Sequence, residues 1–255
     1  MRNDWVTATL LPIALAMLST LAQAQWKTPW DYEGPRGPDH WSALDSVYAA
    51  CNTGREQSPI DIRVTRKTVL PALQFDYKSA PLEGLTDNGK TIRVNYRAPR
   101  NDNVLIVGTD RYRLTQFHFH RPSEELVNGK RYDMVLHLMH EAADGRVAGV
   151  AVFLTPGRAN ATVQRLWDHM PKLVGTEESV PGVNIDPGAM LPRNTAYYVY
   201  SGSLTAPPCT EGVMWFVLKT PAQISAAQIA AFAQRYPHDI RPVQPLNGRV
   251  VKSTR

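Results

Sequence analysis

Tyr112-Arg-Leu-Thr-Gln-Phe-His-Phe-His120 decides the fold. The run has the length and side-chain alternation of a β-strand, with a second apolar run, Val104-Leu-Ile-Val107, just upstream. Gly108-Thr-Asp110 between them supplies a tight turn, so the pair predicts two strands joined by a hairpin connection. Further extended runs cover Tyr132 to His140, Arg146 to Thr155, Ala196 to Tyr200 and Val213 to Lys219. Only two segments carry a helical period. Asn160 can cap a helix with Val163, Leu166, Trp167 and Met170 on one face, ended by Pro171. Ser225-Ala-Ala-Gln228 is a capping-box pattern that opens a second helix with Ile229, Phe232 and Tyr236 turned inward. The expected class is mainly β with peripheral helices (α+β), and the 20 prolines fit long ordered loops around a sheet.

The same stretch carries the chemistry. Alternate side chains of a strand share a face, so His118 and His120 converge on one side while Phe117 and Phe119 take the other. Such a pair alone is more often two hydrogen-bonded core histidines than a metal site. His137 changes the balance, because an antiparallel neighbour strand can bring it opposite the first two, with Leu136 and Leu138 on the apolar face. Three imidazoles leave a fourth position open, the arrangement that a catalytic zinc needs to keep a water, and no thiolate or carboxylate cluster competes for the metal. His140-Glu141-Ala-Ala-Asp144 begins like a zinc-protease motif, but Asp144 stands where the second histidine is required.

Around this centre the chain reads as an exported protein. MRNDWVTATLLPIALAMLSTLAQAQ has a basic start, an apolar run and Ala22-Gln23-Ala24 as a cleavage signal, so residues 1–24 are expected to be a signal peptide. An uncleaved anchor is the competing reading, although the run is too short to span a bilayer comfortably. With no linker or repeat to divide them, residues 25–255 are expected to form a single domain with no membrane insertion. The net charge of +5 is scattered over the chain, which argues against a nucleic-acid partner. Cys51 and Cys209 are the two cysteines, and an oxidising compartment favours a disulfide over two buried thiols.

Several short motifs then point one way in one order: Gly37-Pro-Asp-His-Trp41, Gln57-Ser-Pro-Ile-Asp61, Asp87-Asn-Gly89, Gln116-Phe-His-Phe-His120, Pro122-Ser-Glu124, Leu136-His-Leu138, Ser203-Leu-Thr-Ala-Pro-Pro208 and Arg241-Pro-Val-Gln-Pro245. From about Trp30 to Lys252 the chain resembles an α-class carbonic anhydrase of the bacterial periplasmic kind. The resemblance implies a mostly antiparallel, twisted central sheet of about ten strands. It also implies zinc (Zn2+) on His118, His120 and His137, at the base of a half-polar, half-apolar funnel, and reversible hydration of carbon dioxide to bicarbonate. Under it, Thr205 accepts a hydrogen bond from the zinc-bound hydroxide and donates its own hydroxyl hydrogen bond to Glu124. Met139, Gly149, Leu204, Val213 and Trp215 fall at apolar pocket positions, and Tyr32 and Asn88 at water-ordering ones. Gln116 would support His118, and a backbone carbonyl near Asp239 would support His120. The resemblance further implies a Cys51–Cys209 bond that pins the Leu204 to Pro208 loop, and cis peptides at Ser58–Pro59 and Pro207–Pro208. Sulfonamide and anion inhibitors are expected, a homodimer is common among bacterial members, and the periplasm is the implied location.

The sequence also departs from that pattern. Lys90 replaces the histidine that relays protons in many active members, and an ammonium releases its proton at neutral pH far less readily than imidazolium. Val135 stands where a glutamate commonly accepts the ring proton of the third ligand, which leaves His137 with water or an unidentified group and predicts weakened zinc retention. Met139 and Gly149 replace valines, and Glu125 replaces a histidine. These departures keep a second reading open, that of a catalytically degenerate binding module of the same family. A zinc-buffering protein would need extra His or acidic clusters, and the sequence has none.

Overall fold

The computed structural model describes residues 28–96 and 102–255; the expected signal peptide lies outside them. Among the described residues a 13-stranded sheet dominates. Its main path runs through strands Glu177–Ile185, Ala80–Asp87, Ile92–Asn95, Asp110–His120, Met134–Ala142, Val147–Pro156, Glu211–Leu218, Tyr197–Ser203, Val251–Ser253 and Thr65–Lys67. Most pairs are antiparallel, and Val147–Pro156 with Glu211–Leu218 and Val251–Ser253 with Thr65–Lys67 are parallel. The mostly antiparallel expectation therefore holds, and each predicted strand lies within a few residues of its expected bounds.

Asp110–His120 and Met134–Ala142 lie side by side at the centre, with His118 directly opposite His137. Between Leu114 and Gln116 the register slips, leaving Thr115 as an extra residue whose hydroxyl donates to the Met139 carbonyl (3.0 Å). Such a bulge reverses which face each parity of side chain meets. Tyr112 and Leu114 before it, and Phe117 and Phe119 after it, therefore all join one apolar core, while Gln116, His118 and His120 turn to the opposite face. Without the bulge the even-numbered residues would have put Tyr112 and Leu114 beside the histidines.

The apolar face is covered by the two predicted helices, Ala161–Asp168 and Ala226–Ala233. Asn160 caps the first through Oδ1, which accepts from the Thr162 and Val163 amides, and Ser225 with Gln228 closes the full capping box of the second. Trp167 Nε1 donates to the Gln228 carbonyl (2.9 Å) and ties the helices together. Phe119 packs on the Trp167 ring at 4.9 Å between centroids, so the strand that presents two histidines is clamped from behind.

A candidate metal centre at the base of a cavity

On the far side of these strands lies a cavity of about 640 Å³, and His118, His120 and His137 stand in its lining with one ring nitrogen from each within 4.8 Å of the others. The opposite nitrogens are engaged by the protein. His118 Nδ1–H donates to Gln116 Oε1 at 2.8 Å, and His120 Nδ1–H donates to the Asp239 carbonyl at 2.7 Å, as the resemblance led one to expect. His137 uses its other nitrogen: Nε2–H faces Glu125, 3.2 Å from Oε1 and 3.3 Å from Oε2. Of the two alternatives left for His137, water or an unidentified group, the second holds: the group is Glu125, which removes the reason to expect weak zinc retention. Glu125 enters from the loop after His120, whereas Val135 belongs to an apolar cluster with Ile60, Ile62 and Phe153.

The inner nitrogens tell the complementary story. Among the described residues, His120 Nε2 and His137 Nδ1 are buried with no hydrogen-bond partner, and so are Glu124 Oε2, Glu125 Oε1 and Asp239 Oδ2. Buried polar atoms are rarely left unpaired, and buried carboxylates require a compensating positive charge. A divalent cation held by three neutral imidazoles meets both needs, and an all-imidazole donor set suits zinc. The residues present therefore fit that ion. Electrostatics follows the same geometry. Burial pushes the His118 imidazole well below its ordinary value, helped by the neighbouring His120, His137 and Arg93. For His120 burial acts the same way, but Glu124 and Asp239 outweigh it and lift the group to about 9. Burial raises Asp239 to about 6, against the pull of His120.

Of the other sequence-derived positions, Tyr32, Asn88, Lys90, Met139, Leu204, Thr205 and Trp215 line the cavity with Gln116. Gly149 and Val213 are outside that lining. A Cβ on Gly149 would meet Cε3 and Cζ3 of Trp215 at 2.7 Å, so the absent side chain does not enlarge the pocket. The indole occupies that space, held by its own Nε1–H donated to the Ser203 carbonyl (2.9 Å), and its ring lies 4.7 Å from that of His137. Thr205 is buried in the lining. Glu124 Oε1 accepts from the Arg241 amide at 2.8 Å, while Oε2 has no donor and lies 3.6 Å from His120 Nε2, so the Thr205 hydroxyl does not bond to it here. Lys90 sits at the mouth with Nζ 3.2 Å from Asp31 Oδ1 and 5.5 Å from the Trp30 ring centre.

The loop that carries Thr205 is fastened from several sides. Cys51 and Cys209 form a disulfide, Gln57 Nε2 donates to the Cys209 carbonyl (3.0 Å), and the Ser58 amide donates to Ser203 Oγ (2.9 Å). Cis peptides occur at Ser58–Pro59 and Pro207–Pro208, as expected, and also at Arg121–Pro122. Sequence reasoning missed Arg93, which lines the cavity directly opposite His118 in register. The alternation Ile92-Arg-Val-Asn95, with Ile92 and Val94 buried, was the signal that could have found it. In the sequence Glu125 is only a departure from the family pattern, because nothing local shows that its side chain turns toward His137.

A mostly antiparallel sheet with three convergent imidazoles at the foot of a cavity is the frame of a protein that could hold a metal ion there. The family model for eukaryotic-type carbonic anhydrases matches residues 36–255. The chain is 44% identical over 239 residues to a carbonic anhydrase of Klebsiella pneumoniae, covering 93% of this chain and 96% of that protein. It is 42% identical over 227 residues to one of Nostoc sp., covering 87% and 84%. Among solved structures, the α-carbonic anhydrase of Thermovibrio ammonificans, in complex with the inhibitor sulfanilamide, superposes with a TM-score of 0.83 at 38% identity over 88% of this chain and 99% of that one. The chain belongs to the α-carbonic anhydrase family. Among the described residues no helix is long and apolar enough to cross a membrane, and the disulfide fits an oxidising compartment.

Proposed function

We propose that the protein is a periplasmic enzyme that hydrates carbon dioxide reversibly to bicarbonate and a proton, with residues 1–24 removed on export and residues 25–255 acting as a single domain. The observation that carries this reading is the pairing pattern of the histidines: each outer nitrogen is held by the protein, and His120 Nε2 and His137 Nδ1 are buried and unpaired. Those three side chains would hold zinc, which supplies the Lewis acidity that makes water nucleophilic near neutral pH, the behaviour for which carbonic anhydrases are the type example.

The remaining steps belong to the chain's own residues. Met139, Leu204 and Trp215 form an apolar wall that receives an uncharged, linear substrate and excludes water from its carbon. Thr205 orients the attacking oxygen, and Glu124 Oε2 is the acceptor left for its hydroxyl proton. Tyr32 and Asn88 order water along the polar side. The proton must then leave past Lys90, whose ammonium is held by Asp31 and Trp30 and is poorly suited to relay it, so turnover is set by external buffer. The cavity also suits sulfonamide and anion inhibitors, and a homodimer remains the expected assembly.

A stopped-flow hydration assay on protein of measured zinc content tests the reading. Activity that scales with zinc and is abolished by a sulfonamide is the expected result. Background activity at one zinc per chain would overturn it.

A further inference from the structure

Glu124 and Glu125 are adjacent in sequence and both fully buried, an expensive arrangement unless each carboxylate has a defined task. The loop that carries them is built to hold them there. The Ser123 amide donates to the Tyr132 carbonyl (3.0 Å), the Tyr132 amide returns a bond to Ser123 Oγ (3.0 Å), and Ser123 Oγ donates to the Glu125 carbonyl (2.8 Å). The Leu126 amide donates to the Ile60 carbonyl (3.1 Å), and the Arg131 guanidinium donates to the Ser123 and Glu124 carbonyls. With its backbone locked, the Glu125 carboxylate has one hydrogen-bonding side chain before it among the described residues, His137. Val135, on the cavity-side parity of the next strand with His137 and Met139, is packed among Ile60, Ile62 and Phe153 and offers no acceptor.

Resting on the zinc reading above, we propose that Glu125 is the positioning residue for the third metal ligand. By accepting the Nε2 proton of His137 it fixes the tautomer, so that Nδ1 is the lone pair turned to the ion, and it adds a negative charge behind the ring that strengthens the nitrogen as a donor. The carboxylate that the resemblance expects on the strand at position 135 is supplied here from the loop. The volume on the strand is given to the apolar cluster, so Glu125 and Val135 act as a compensating pair.

The test uses zinc-loaded full-length mature protein and its variants Glu125→Ala, Glu125→Gln and Glu125→Ala/Val135→Glu. Zinc loss is followed as transfer to excess pyridine-2,6-dicarboxylate, and the His137 Nε2–H signal is followed by ¹H–¹⁵N correlation. Glu125→Ala should lose zinc about 10- to 100-fold faster and lose the protected Nε2–H signal. Glu125→Gln, which keeps an acceptor without the charge, should fall between, and the double variant should move back toward wild type. Zinc loss within about twofold of wild type in Glu125→Ala, or an unchanged Nε2–H signal, would overturn the proposal. If Glu125→Ala does not fold, wild-type zinc loss in Glu125→Gln overturns it equally. Wild-type protein that holds zinc but does not hydrate carbon dioxide would sink the enzymatic reading while leaving this measurement fully readable.

Discussion

His137 and His140 lie three residues apart on one strand, both fully buried, and only one of them belongs to a site. His140 points into the apolar core with both nitrogens satisfied: Nδ1–H donates to the Ala148 carbonyl (3.3 Å), and Nε2 accepts from the Tyr77 hydroxyl (2.5 Å), whose ring stacks on it. His137 points into the cavity with one nitrogen held by Glu125 and the other unpaired. Burial therefore does not distinguish a ligand from a structural histidine. The distinction lies in a lone pair left free and in anionic groups gathered around it.

The sharpest way to break this contrast is to remove each histidine in turn. His137→Ala should lose zinc and with it hydration activity by on the order of 1,000-fold or more. His140→Gln should keep one zinc per chain and lose stability instead. Metal analysis alongside denaturant unfolding reads both, and zinc loss in the His140 variant would erase the distinction.

Acid titration probes the same contrast from the core side. Burial depresses His140 to about 4, against an ordinary value of 6.5. The unfolded chain therefore binds the proton first as pH falls, so this contribution is fully present above pH 6.5 and drains away toward pH 4. Its size is roughly 3 kcal/mol. Unfolding free energies measured across that window should drop for wild type and flatten for His140→Gln; an equally steep drop in the variant would place the effect elsewhere.

On the cavity side, Gly149→Val should destabilise by about 1–3 kcal/mol, because the new side chain meets an indole whose Nε1–H is already committed to Ser203. Melting measurements check this, and a neutral result would mean that Trp215 can swing away from His137. The smallest effect belongs to the mouth. Lys90→His should raise turnover in weak buffer by about tenfold and lessen its dependence on added imidazole. No gain would show that proton exit does not pass position 90.

Much of this was legible in local pattern. Helix caps at Asn160 and Ser225 act within a few residues of themselves, and strand alternation alone put His118 and His120 on one side. The bulge at Thr115 leaves only a faint local sign, a change of apolar parity between Leu114 and Phe117, because the slip is defined by the register against the neighbouring strand. What Gly149 does to the pocket volume cannot be read locally, because its neighbour across the parallel pair, Trp215, is far away in sequence.

The sequence by itself determined the class of fold, the three histidines and the family, since each rests on residue types at short spacings or on motifs in a characteristic order. Only the tertiary structure decided which carboxylate holds His137, what fills the space over Gly149, how Lys90 is restrained and that Arg93 faces His118. Those facts depend on where side chains from distant segments end up once strands are registered and loops are locked, and a distance of 3.2 Å between Glu125 and His137 exists only after folding has brought a loop over a strand.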